Sequence, residues 1–298
     1  MRVAIIGAFG YLGTALARAL CARGHTVDAF GRSRHCQQHL HERWGPDVAF
    51  VAAPCDATEI SAYDMRGCDT VVCLAGGGAS AGNLPSASAA LRDNALSAEH
   101  VAAIATEAGV SRLLLASSIY VYGLASYPHR ESDPCAPDTL YGALKVAAEA
   151  TWRERGGACL RLSHVYGAGD GVEARDGVTE RLARCAASGR PFTVCGDGSQ
   201  TVDFVHVDDA CSAIVRTLEA PEIPLVMNIG GTVLSIGDLV HAFQTVAPGL
   251  RVERGVDMAH PERCLDASLA ASVIGWSPST PLDAAVVALV KRFTGESP

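Results

Sequence analysis

At 298 residues, 49% hydrophobic and 19% charged, the chain is long enough for one large or two modest domains and reads as a folded globular protein. Its formal net charge of −8 leaves no basic stripe for neutralising nucleic-acid phosphates. Gly7 and Gly10 break the apolar N-terminus, which therefore reads as neither a signal peptide nor a membrane span. Eleven cysteines occur without one C-x-x-C pair, in apolar runs such as Val71-Val72-Cys73-Leu74, a usage expected of reduced core cysteines in a cytoplasmic protein. His35, His39 and His41 beside Cys36 form one metal-like cluster, but no second ligand group follows at a fitting spacing, so no metal is expected.

Val3 to Ile6 is an apolar run of the kind that forms a buried parallel strand. Gly7, Gly10 and Gly13 follow, and then Leu12, Leu16 and Leu20 recur every fourth residue as the seam of a helix ending near Gly24. Strand, glycine turn and helix together suit a dinucleotide pyrophosphate, because the helix start offers free N–H groups and glycine lets the backbone come close. The spacing is G-x-x-G-x-x-G, and Gly7, Phe9, Gly10, Tyr11, Leu12 and Gly13 are the expected contacts. The next strand, HTVDAFGRS, runs out at Gly31 with Asp28 three residues too early to serve the adenosine ribose. Arg32 and Ser33 stand there instead, which fits a 2′-phosphate and favours NADP over NAD; the alternative is that Arg32 and Arg34 are ordinary loop charges.

A third strand in DVAFVAAPCDAT ends at Asp56, and a fourth in CDTVVCLAGGG ends at Ala75-Gly76. A helix is expected from about Asn94 to Ala108, then a fifth strand through RLLLASSIYVYG. Such alternation gives an α/β fold, a doubly wound parallel sheet with ligands at the strands' carboxyl ends. Asp56, Ala75, Gly76 and Ser118 fall at those ends. Leu140-Tyr141-Gly142-Ala143-Leu144-Lys145 puts a tyrosine and a lysine on one helix face, where an ammonium can favour a phenolate. A phenol, with an ordinary pKa of about 10, is a poor base at neutral pH without such help.

These residues resemble the extended short-chain dehydrogenase/reductases, the NAD-dependent epimerase/dehydratase family of UDP-galactose 4-epimerase type. The likeness rests on the glycine turn, Asp56, Leu74-Ala75-Gly76, Asn94, Ser117-Ser118, Val121-Tyr122-Gly123 and Tyr141-x-x-x-Lys145. It continues through Arg161, Val165-Tyr166-Gly167, Asp203 to Asp209, Asn228-Ile229-Gly230 and Gly275-Trp276-Ser277-Pro278. The resemblance implies a Rossmann domain over 1–167, with 208–231 returning to it, and a smaller substrate-capping domain over 168–207 and 232–298. It also implies Tyr141 as acid/base, Lys145 on the nicotinamide ribose and Ser118 on the substrate oxygen. Ala57, Leu74 and Asn94 would join the cofactor site, and a homodimer would form through the helices that carry Asn94 and Tyr141.

Three departures shape the functional expectation. Ile119 and Tyr120 stand where the family's dehydratases carry an Asp-Glu pair, which argues against elimination of water. His164 replaces a usual Asn, and Val202 replaces a usual arginine on the diphosphate, while Arg263 keeps the place of another phosphate contact. A lost charge-assisted contact costs ~1.5–3 kcal/mol. Substrate contacts are therefore expected from Ser118, His164 and Arg263, with His164 equally readable as a buried structural histidine. The expected activity is an NADP-dependent ketone reductase or dehydrogenase on a sugar-like or natural-product-like substrate, and the alternative is a nucleotide-sugar epimerase with tightly bound NAD. Asp208 and Asp209 are expected to serve as helix N-cap and first-turn charges, and the final helix spans Asp283 to Phe293.

Overall fold

A computed structural model describes residues 1–32, 50–76, 86–125, 128–169, 177–256 and 262–295. Ser33, Gly77, Gly78 and the His35–His41 group lie outside these residues. The first strands are β1 (Arg2–Ile6), β2 (Thr26–Gly31), β3 (Phe50–Pro54), β4 (Thr70–Cys73), β5 (Arg112–Ser118) and β6 (Ala158–Leu162). With β10 (Val226–Ile229) they form a seven-stranded sheet in the order β10-β6-β5-β4-β1-β2-β3. Every neighbouring pair in it is parallel. All residues of β4 and β6 are buried, as strands covered by helices on both faces must be.

One face packs on α1 (Tyr11–Ala22) and α6 (Val207–Glu219), with Leu16, Leu20, Ile214 and Leu218 in a single apolar cluster. The other packs on α3 (Ser97–Glu107) and α4 (Leu140–Glu154), where Val101, Ala105 and Trp152 meet Val71 and Leu115. The Trp152 indole N–H donates to the Ala98 carbonyl at 2.9 Å, pinning α4 to α3. Arg112 caps the last turn of α6, its Nη1 donating to the Leu218 and Ala220 carbonyls at 2.5 and 2.7 Å.

A third cluster is separate. It joins α5 (Val178–Ser188), α7 (Ile236–Val246) and α9 (Leu282–Thr294) through Leu182, Leu239, Phe243, Val286 and Leu289. Two small sheets flank it: β7 (His164–Tyr166), β9 (Thr201–His206) and β11 (Thr232–Ser235), and then β8 (Phe192–Val194) with β12 (Val252–Arg254). The expected final helix is present as α9. The buried Asp203 carboxylate ties β9 to two later segments, accepting from Gly231 N at 2.7 Å and Leu265 N at 2.9 Å. Trp276, after the short α8 (Ser268–Ile274), donates to the Asp209 carbonyl at 3.0 Å.

Several boundaries differ from expectation, and β4 stops at Cys73, short of Ala75-Gly76. β3 stops at Pro54, which has no N–H to continue the ladder, and Asp56 turns the chain by accepting from Thr58 N at 3.1 Å. β5 stops at Ser118, whose Oγ accepts from Tyr120 N and starts a 3₁₀ turn over Ile119–Val121. The helix expected from Asn94 begins earlier, as α2 (Ala87–Leu91), and reaches α3 through a π turn over Arg92–Leu96. In that turn Asn94 Nδ2 donates to the Ala90 carbonyl at 3.0 Å. The cap of α6 is His206 rather than an aspartate: its Nδ1 accepts from Asp208 N at 3.3 Å. Asp209 is buried in the first turn, where it accepts from Ser279 and Thr280.

Candidate active site

The glycine turn follows β1 directly. Gly7 has φ +87°, a left-handed conformation that favours glycine, and Gly13 lies against the Gly7 carbonyl and Ala8 with no room for a Cβ. This draws the start of α1 onto the sheet and opens a cleft at the carboxyl ends of β1, β2, β3 and β4. Gly7, Phe9, Gly10, Arg32, Asp56, Ala57, Leu74, Ala75 and Gly76, all named from the sequence, line it together. Tyr11, Leu12 and Gly13 sit behind the turn in α1, and the Tyr11 hydroxyl donates to the Gly167 carbonyl at 2.8 Å.

Gly31 explains the missing acid at the end of β2. A Cβ there would lie 2.6 Å from Cδ2 of Phe9, so the Phe9 ring holds the place where a carboxylate would stand. The rim beside it carries charges of both signs. Arg32 Nη1 lies 3.3 Å from Asp93 Oδ2 and 3.9 Å from Asp56 Oδ2, and Arg92 Nε donates to Asp93 Oδ1 at 3.0 Å. The Thr58 N–H, most of all, holds the Asp56 carboxyl below its ordinary range, with Arg32 and Arg92 adding to the effect.

The inner end of the cleft meets the tyrosine helix. Thr139 caps α4, its Oγ1 accepting from Gly142 N at 3.1 Å. Gly142 lies so close to the Tyr120 carbonyl that a side chain there has no space, which seats the first turn of α4 against the turn that follows Ser118. Tyr141 and Lys145 share one face of this helix, with the ammonium 5.7 Å from the centre of the Tyr141 ring. Lys145 is buried and donates to the Ala116 carbonyl of β5 at 3.1 Å. Its Nζ and Asn94 Oδ1 both face Gly76, where a Cβ would lie 3.1 and 2.8 Å from them.

Asn94 Oδ1 is buried without a hydrogen-bond partner, which leaves an acceptor available beside the lysine donor. A glycine turn on a helix start, a cleft and a buried donor–acceptor pair at its inner end fit a nicotinamide dinucleotide. Ser117 is engaged elsewhere: its hydroxyl donates to Glu149, which also accepts from Arg161 Nε at 2.9 Å and Nη2 at 2.7 Å in a fully buried ion pair.

Beyond Tyr141 the side chains gather around Tyr120. Its ring meets Tyr141 edge-on at 5.9 Å and His164 at 5.6 Å, and its hydroxyl lies 3.3 Å from His164 Nε2. The Arg263 guanidinium stacks over the same ring at 4.6 Å and holds Asp138 at 2.6 Å. Burial pushes the Tyr120 phenol up, against the pull of Arg263, so it stays protonated at neutral pH. Sequence reasoning missed Asp93, Asp138 and the central position of Tyr120. Asp93, next to Asn94, and Tyr120, two residues after Ser118, had a nearby signal; Asp138 had none that pointed to Arg263. Among the described residues no group of three or more His, Cys, Asp or Glu side chains could hold a metal ion, no disulfide joins the cysteines, and no helix is long and apolar enough to cross a membrane.

The model of the NAD dependent epimerase/dehydratase family matches residues 3–230. The chain belongs to this family. It is 32% identical to a dTDP-6-deoxy-L-talose 4-dehydrogenase (NAD(P)(+)) of Kitasatospora kifunensis, over 96% of this chain and 93% of that one. It is 29% identical to a UDP-glucose 4-epimerase of Mycolicibacterium smegmatis, with both chains covered in full. Among solved structures, MoeE5 in complex with UDP-glucuronic acid and NAD superposes with a TM-score of 0.86 at 27% identity, covering 98% of each chain. Family membership makes the chain an NAD(P)-dependent oxidoreductase or epimerase of Rossmann type.

Proposed function

We propose that this chain is an NADP-dependent ketone reductase, or a dehydrogenase in the reverse sense, acting on a sugar-like or natural-product-like substrate. The observation that carries this reading is the seating of Tyr141 and Lys145 against the turn that follows Ser118, with Ile119 and Tyr120 where a dehydratase needs carboxylates. The dinucleotide supplies or accepts the hydride when bound. Tyr141 gives the proton to the substrate oxygen or takes it back, and Ser118 hydrogen-bonds that oxygen. Lys145 places positive charge beside the phenol and holds the nicotinamide ribose, with Asn94 next to it.

His164 and Arg263 take the far side of the substrate. The relatives named as acting on dTDP-hexoses bring nucleotide-linked deoxysugars within this class. Arg263 would then have to leave Asp138 to meet a diphosphate, and Val202 offers it no second cation. The residues 168–207 and 232–298 act in this reading as the unit that caps substrate over 1–167 and 208–231. Exposed Leu91, Leu96 and Leu140, on the helices that carry Asn94 and Tyr141, fit the contact face of a homodimer. The cysteine usage fits the cytoplasm.

The second reading, an epimerase that keeps its NAD, is favoured by the two carboxylates on Arg32, which oppose a further phosphate. Denaturing the purified protein and identifying the released nucleotide separates the two. An empty protein that binds NADPH more tightly than NADH and oxidises it with carbonyl substrates supports the reductase. Stoichiometric NAD that survives gel filtration overturns it in favour of the epimerase.

A further inference from the structure

We propose that Asp93 sets the preference between NAD(H) and NADP(H), by competing with the cofactor's 2′-phosphate for Arg32. The inference rests on reading the cleft as a dinucleotide site. Selection against a 2′-phosphate ordinarily falls to an acid at the end of the second strand. Here the strand ends in Gly31, where the Phe9 ring occupies the space of a Cβ, 2.6 Å away. The negative charge enters from the opposite wall instead. Asp93 lies in the π turn between α2 and α3, lines the same cleft as Gly31 and Arg32, and stands 3.3 Å from the Arg32 guanidinium.

The balance of charge follows from the geometry. Arg32 and Arg92 meet Asp93 and Asp56, so within these ion pairs neither arginine charge is left without a facing carboxylate. A 2′-phosphate carries close to two negative charges and needs Arg32 for itself. Asp93 must release the arginine and then stands as a like charge beside the phosphate. With NAD(H) the Arg32–Asp93 pair remains intact and nothing opposes binding. Arg32 alone would thus favour NADP(H), and Asp93 draws that preference back toward both cofactors. The Arg32 side chain is 62% exposed, so the effect belongs to the solvent-screened range, ~1 kcal/mol or about fivefold in affinity.

The Asp93 side chain meets Arg32 and Arg92, while the bond that the Ser97 hydroxyl makes is to the Asp93 backbone carbonyl and is kept in Asp93→Asn. The test is the dissociation constant of NADPH and of NADH, measured by fluorescence titration on the full-length protein, for wild type, Asp93→Asn, Arg32→Ala and the double variant. Asp93→Asn should tighten NADPH about fivefold and leave NADH within about twofold. In the Arg32→Ala background the same change should tighten NADPH much less. Parallel shifts for both cofactors, or an equal gain for NADPH without Arg32, would overturn the proposal while leaving the dinucleotide reading intact. Wild-type protein, freed of any retained nucleotide, that binds neither cofactor would overturn both.

Discussion

The two halves of the sheet's carboxyl edge are built by different means. Over β1, β2 and β3 the cleft is made largely of backbone: Gly7 turns the chain, Gly13 brings α1 close, and Gly31 yields its space to Phe9. Over β5 and β6 the site is made of long side chains that hold one another, with Tyr120 between Tyr141, His164 and Arg263, and Arg263 held in turn by Asp138. Backbone N–H groups at a helix start recognise what all dinucleotides share. Side chains drawn from separate segments, fixed by one another, are suited to one shape. The first half suits a part that proteins of different activity can share, and in the proposed reading the second is where substrate is met.

The strongest way to break this contrast is Tyr141→Phe. Turnover should fall by about 10²–10⁴-fold. Dinucleotide affinity, followed by fluorescence titration, should hardly move; a matching loss of affinity would mean that the two halves are not separable. Second in size is Glu149→Ala, which leaves Arg161 buried and uncompensated under the substrate half. It should cost about 3–5 kcal/mol in denaturant unfolding. A loss below about 1 kcal/mol would place water in contact with the pair.

Asp138→Asn sharpens the contrast from the other direction by releasing Arg263. Binding of a nucleoside-diphosphate sugar should strengthen by about 1.5 kcal/mol, with NADPH binding unaffected. No change in sugar-nucleotide affinity would remove Arg263 from the substrate site. The smallest expected effect concerns pH. Burial lowers the His206 imidazole below its ordinary value of 6.5, so the unfolded chain takes up a proton that the folded cap of α6 refuses. Stability should be full above about pH 6.5 and should decline as pH falls below it. The fall in melting temperature between about pH 7 and pH 5.5 should be smaller in His206→Asn; an equal fall would assign the acid sensitivity to other groups.

The backbone-built half was legible in the sequence because its signals are local. Three glycines at fixed spacing after an apolar run describe a turn whatever surrounds it, and Gly7, Phe9 and Gly10 named from it line one cleft with Arg32, Asp56, Ala75 and Gly76 named from the strand ends. Tyr141 and Lys145 were legible for the same reason, being four residues apart on one helix. The side-chain half was legible only in part. Nothing near Asp138 announces that it will meet Arg263, which lies 125 residues away. Arg32 was read from its place after a strand, but its partner Asp93 comes from the opposite wall of the cleft. Several motif residues that carry the family likeness turn out to join segments together. Tyr122 donates to Asn228 at 2.8 Å, and the Asn228 N–H in turn donates to Glu131.

The seventh strand has a consequence for how the molecule comes into being. β10 completes the sheet by pairing with β6, yet it is made only after the segments that supply β7, β8, β9 and α6. Until residue 229 has been synthesised, one side of β6 is an open edge, apolar but for Arg161, with unpaired N–H and C=O groups of the kind that invite pairing with another chain. A fragment ending at Gly167 would keep that edge permanently. The first sheet is thus completed only by a strand that follows β7, β8 and β9 in the chain.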